Sequence, residues 1–126
     1  VKTEKRLGSI EIDGIAYPLN YSIRNAAEVD NALSATNPEE YGKYGVVAKN
    51  IRILGLLLRD GAEYMNHFHG EKISPPAEED LLYLLSPNDN PRVFSAIKET
   101  VESGGARLVE VAEKNAQAAP AKKERA

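Results

Sequence analysis

Ser9–Tyr21 reads S-I-E-I-D-G-I-A-Y-P-L-N-Y, two alternating apolar runs around Asp13-Gly14. That dipeptide supplies the two positive φ angles of a type I′ turn, so the segment is predicted to be a β-hairpin with a two-residue loop. The loop fixes the register: Ile12 opposite Ile15, Ile10 opposite Tyr17, Ser9 opposite Pro18, with the apolar side chains on one face. Pro18 then falls in a non-hydrogen-bonded pair, and its missing N–H makes the second strand a free edge there. A lone hairpin is barely stable in water, so helices must cover its apolar face.

The 126 residues suffice for one domain. We expect an N-terminal arm over 1–8, a single hairpin-plus-helices domain over 9–114 and a disordered tail over 115–126, which lacks large apolar residues. A net charge of −3 argues against general nucleic-acid binding, which needs a basic face. The absence of cysteine excludes a disulfide frame, a thiolate zinc site and a cysteine nucleophile. No apolar run approaches the ~20 residues that span a bilayer. The charged opening Val1–Arg6 has no apolar secretion segment behind it, so a soluble intracellular protein is expected.

After the hairpin, Ser22 is placed to cap a helix from Ile23 to about Ala35, with Ile23, Ala26, Asp30 and Leu33 along one side and Ala27 beside them. Asp30 interrupts this stripe and needs a margin position or a partner. Asn37-Pro38-Glu39-Glu40 is a second start signal. Gly42 and Gly45 mark a break, which leaves Val46–Arg59 as the well-formed part of the second helix. This helix is apolar nearly all round, so it is either the central core helix or shares a face with another subunit. The second alternative nominates Val46, Val47, Ile53, Leu54, Leu56 and Leu57 for partner binding or self-association. Asp60-Gly61 is expected to kink or cap it before a short helix Ala62–His69 that ends at Gly70. Ile73–Pro76 leads into a helix from Ala77 to Leu85 with Leu81, Leu82, Leu84 and Leu85 buried, and Ser86-Pro87 stops it. Asn90-Pro91 starts the last clear helix, with Val93, Phe94, Ile97 and Val101 inward and Gly104-Gly105 closing it. Residues 106–114 are ambiguous between helix and strand. The fold class is therefore α+β, mostly helical, with an N-terminal β-hairpin packed on a bundle of about four to five helices.

No active site emerges, and no catalytic, cofactor-binding or metal-binding residues are assigned. Glu63, His67 and His69 form the only histidine cluster; Glu63 and His67 share a helix face, but His69 lies on another side and no third ligand completes a site. Glu78, Glu79 and Asp80 complement a helix dipole better than they make a general-acid pair. The glycines match neither GxGxxG nor the P-loop. Lys122, Lys123 and Arg125 are too few for a nucleic-acid claim.

Ile10–Tyr21 with the helix after it, G-L-L-L-R-D-G at Gly55–Gly61, P-P-A-E-E-D at Pro75–Asp80 and L-L-S-P-N-D-N-P at Leu84–Pro91 come in a telling order. Over about Gly8–Gly105 the chain resembles the tail assembly chaperones of long-tailed (siphovirus-type) bacteriophages and prophages. The resemblance implies a non-enzymatic protein of the bacterial host cytoplasm, absent from the finished virion and without cofactors. It implies binding to the tape measure protein, keeping it soluble, and recruitment of tail tube protein subunits. It also implies self-association, and a longer frameshifted form whose slip site would lie near Lys122-Lys123. No membrane or nucleic-acid partner is expected. The alternatives are a structural tail-completion or connector component present in the virion, and a small metal-dependent enzyme using Glu63, His67 and His69. A helical transcription regulator would require a basic recognition helix that the sequence lacks.

Overall fold

The structure, a computed structural model, describes residues 7–34 and 45–116, without the side chains of 46 and 105–116. Strands β1 (Gly8–Ile12) and β2 (Ile15–Leu19) form an antiparallel hairpin, followed by helices α1 (Ile23–Ser34), α2 (Gly45–His69), α3 (Glu78–Leu84) and α4 (Asn90–Ala116). The fold is α+β and mostly helical. Among the described residues no helix is long and apolar enough to cross a membrane.

The hairpin has the register that its turn dictates: Ile12 pairs with Ile15, Ile10 with Tyr17 and Ser9 with Pro18. Asp13 (φ 54°) and Gly14 (φ 81°) supply the two left-handed residues. β1 takes in Gly8, assigned above to the arm, because Gly8 packs directly on Thr100 of α4. Ile10, Ile12 and Leu19 are buried, whereas Ile15 at the hairpin tip is exposed and does not join their face in the core. β1 lies against α4 and β2 against α2. Arg92 of α4 donates from Nη1 to the Glu11 carbonyl at 2.7 Å, which ties the first strand down.

Ser22 caps α1 as expected. Its Oγ accepts from the Arg24 N–H (3.2 Å), while the Asn25 side chain accepts from the Ser22 N–H (2.9 Å), a reciprocal cap. The inward face of α1, however, is Asn25, Val29 and Ala32 rather than the Ile23–Leu33 stripe. Asn25 can turn inward because its amide is satisfied by the Asn20 carbonyl at 2.9 Å. Ile23 and Leu33 stay exposed, and Asp30 finds its partner in the Tyr21 hydroxyl, which donates to it at 2.8 Å.

α2 is the central helix, and it runs unbroken through Asp60-Gly61, so the expected short helix Ala62–His69 is its last third. Gly61 is the seat of the hairpin, where the backbone of Pro18 and Leu19 crosses too closely for any Cβ. The second start signal, Asn37–Glu40, lies outside the described residues. α2 ends as anticipated at Gly70 (φ 67°). The following loop is clipped back by Asn66, whose side-chain amide exchanges two hydrogen bonds with the backbone of Ile73 (2.8 and 3.1 Å).

α3 buries Leu81 only. Leu82 and Leu84 are exposed and Leu85 is half-buried, because a helix of seven residues lies on α2 along a single line. Pro87–Asp89 forms a single 3-10 turn, with Asp89 accepting from the Ser86 N–H at 2.8 Å, and hands the chain to α4. In α4, Val93, Ala96, Ile97 and Thr100 are buried, but Phe94 is exposed. The helix continues past Gly104-Gly105, so the ambiguous 106–114 is helical. A Cβ on Gly104 would lie 2.7 Å from the Tyr21 carbonyl oxygen, so this glycine serves a helix–loop crossing and is no terminator. Asn115 and Ala116 belong to α4; residues 117–126 of the expected tail lie outside the described residues.

Candidate functional site

The six residues nominated for partner binding separate on the structure. Ile53, Leu54 and Leu57 are fully buried within the chain, covered by its own hairpin and helices, and are not a binding surface. The apolar girdle of α2 is used up internally because this helix touches β2, α1, α3 and α4 at once. Leu56 is half-buried against the core. Val47 is exposed, and the side chain of Val46 lies outside the described residues.

Val47 stands at the lip of an apolar groove of about 190 Å³ between the first turns of α2, α3 and the start of α4. Ile51, Leu81, Leu85 and Val93 form its floor, and Leu82 is exposed across from Val47. The Asn50 side chain donates to Asn90 Oδ1 at 3.0 Å, pinning α2 to the start of α4 beside it. Glu78, Glu79 and Asp80 stand in the first turn of α3, but none of them lines this groove, and Glu78 lines a separate concavity with Arg52, Gly55 and Arg59.

A second concavity, of about 300 Å³, lies between the β2–α1 junction and the C-terminal half of α2. Asp60 and Asn20 are on its lining, and both are buried. The Asn20 amide donates to Asp60 Oδ1 at 3.2 Å and the Ser22 hydroxyl donates to Asp60 Oδ2 at 2.7 Å. The Asn20 N–H also donates to the Leu57 carbonyl at 3.1 Å, so the hairpin exit is bonded to α2 by backbone and side chain together. At the rim Arg24 pairs with Glu63 at 2.8 Å, and the Phe68 ring packs tilted against Tyr64 and edge-on against His67. Burial first, then the hydrogen bond to Asp30 and its charge, push the Tyr21 phenol above its ordinary value.

Comparison of the chain with protein-family models, curated proteins and solved structures finds no match. The chemistry of these two surfaces therefore stands by itself. Among the described residues no three His, Cys, Asp or Glu side chains group as a metal ion requires. Glu63, one of the three nominated for a metal, is engaged by Arg24. Asn20 was not singled out in the sequence, and Asp60 only as half of the expected Asp60-Gly61 kink or cap, although one signal was there. Asp60 is a lone polar residue at a position that continues an apolar helix face, three residues beyond Leu57.

Proposed function

We propose that the chain is a phage tail assembly chaperone that covers an amphipathic helix of a tape measure protein, keeps it soluble and presents it to tail tube subunits. The observation that carries this reading is the groove between α2, α3 and α4: an open apolar floor with Val47 and Leu82 exposed on its two lips. Helix-in-groove recognition uses such a surface, filled by apolar residues of the client at helical spacing. The hairpin-then-helices order is the layout that the resemblance implies. Self-association on the client would place several copies along one long helix.

Co-expression with a tape measure protein should yield a soluble complex with more than one copy of this chain per client, read by affinity capture and light scattering. The double variant Val47→Asp with Leu82→Glu should keep the wild-type circular dichroism and melting, since both side chains reach solvent. Its yield of soluble complex should fall by about tenfold or more, the loss expected when central apolar contacts of an interface are removed. A client that stays insoluble beside the wild-type chain, with the chain itself present in purified particles, would replace the chaperone reading by that of a structural tail component.

A further inference from the structure

Asp60 is the one buried charge among the described residues, 6% exposed, and no cation among them pairs with it. Its two oxygens take one bond each from neutral donors, the Asn20 amide and the Ser22 hydroxyl. Beside it Asn20 Oδ1 is buried and accepts no hydrogen bond. Rotating that amide would not help, because it would set Asn20 Oδ1 against the Asp60 carboxylate. Buried anions are ordinarily paired with a cation, and buried acceptors ordinarily find a donor. Both deficits fall on residues that line the same cleft.

What the unpaired Asp60 carboxylate calls for is a cation that carries several N–H donors. The walls add to the specification: Phe68, 64% exposed, and Ile23 offer apolar surface, and Tyr64 and His67 continue the aromatic side. Glu63 places a second carboxylate at the rim, where Arg24 already shows that a guanidinium is accepted. A guanidinium has five donors in a flat fork and is weakly hydrated, so it suits divergent acceptors next to aromatic faces better than a compact, strongly hydrated ammonium.

We propose that this cleft is a receptor for an arginine side chain presented by a partner protein. Its guanidinium enters against Asp60, and its methylene stem lies on Phe68 and Ile23. This inference rests on reading the chain as a protein-binding module. Its first probe needs no client, so its failure and the failure of the chaperone reading are distinguishable.

The test is a ¹⁵N–¹H titration of the full chain with N-acetyl-arginine methylamide, against the neutral isostere N-acetyl-citrulline methylamide. The arginine compound should shift the amides of residues 20–24 and 60–68 along a saturable curve, and the citrulline compound should not. Asp60→Asn and Phe68→Ala should each weaken binding by about tenfold, the loss of one strong contact. Phe68 is mostly exposed, so its variant keeps the test intact should Asp60→Asn fail to fold. Equal responses to the two compounds, shifts that do not saturate, or an unchanged affinity for Phe68→Ala would overturn the proposal. Tighter binding of free L-arginine than of the blocked compound would overturn it too, by making the ligand a small molecule.

Discussion

Leu57→Glu should leave the chain unfolded at room temperature, with its helical circular dichroism lost and its elution in size exclusion that of an expanded monomer or an aggregate. Leu57 is 0% exposed and packs with Ile53, Leu54 and Leu58 at the centre of the core. Truncating such a leucine to alanine costs about 2–5 kcal/mol. Glutamate removes the same packing and adds a carboxylate among the apolar side chains of the core. Whole-domain stability is only about 5–15 kcal/mol, so the combined loss spans most or all of it. The experiment also tests where Leu57 sits. A folded monomeric variant would return this residue to an interface between subunits.

The hairpin was legible because everything that fixes it is local: Asp13-Gly14 sets the turn, and the turn sets the register. The caps at Ser22 and Gly70 were legible for the same reason, since each acts within a few residues, whereas the 3-10 turn at Pro87–Asp89 was not foreseen. Fold class followed from the hairpin's need for cover. Faces were harder. α1 turns Asn25 inward in place of Ile23 because its amide reaches the Asn20 backbone oxygen, which is in place only once the end of β2 has docked on α2. Gly61 and Gly104 look like helix breakers in one dimension and are crossing points in three. The candidate site divides along the same line. Val47 could be nominated from apolarity, but Ile53, Leu54 and Leu57 could not be told from it without knowing which neighbours cover α2. The Asn20–Asp60 cleft joins residues forty positions apart and had no local signal beyond the polar Asp60 on an apolar helix face.

Two glycines of α2 should respond to alanine with opposite signs. At Gly55 a Cβ would stand 3.5 Å from the Glu78 Cβ, an ordinary contact, so Gly55→Ala should gain about 1 kcal/mol from helix propensity alone. At Gly61 the same propensity gain is available, but the Cβ would run into the carbonyl of Pro18 and come within 2.8 Å of the Leu19 Cα. Those are backbone atoms, which no rotamer change can move aside. The hairpin would have to lift, and lifting stretches the Asn20 N–H bond to the Leu57 carbonyl and draws Asn20 away from Asp60. Overpacking against side chains costs about 1–3 kcal/mol, and a backbone collision belongs at or above the top of that range. Urea denaturation of both variants reads the contrast directly: the midpoint should rise for Gly55→Ala and fall steeply for Gly61→Ala. Equal midpoints would mean that β2 is not seated on α2 at Gly61. The cleft would then lose its floor, since Asn20 reaches Asp60 only while the strand exit rests on that helix.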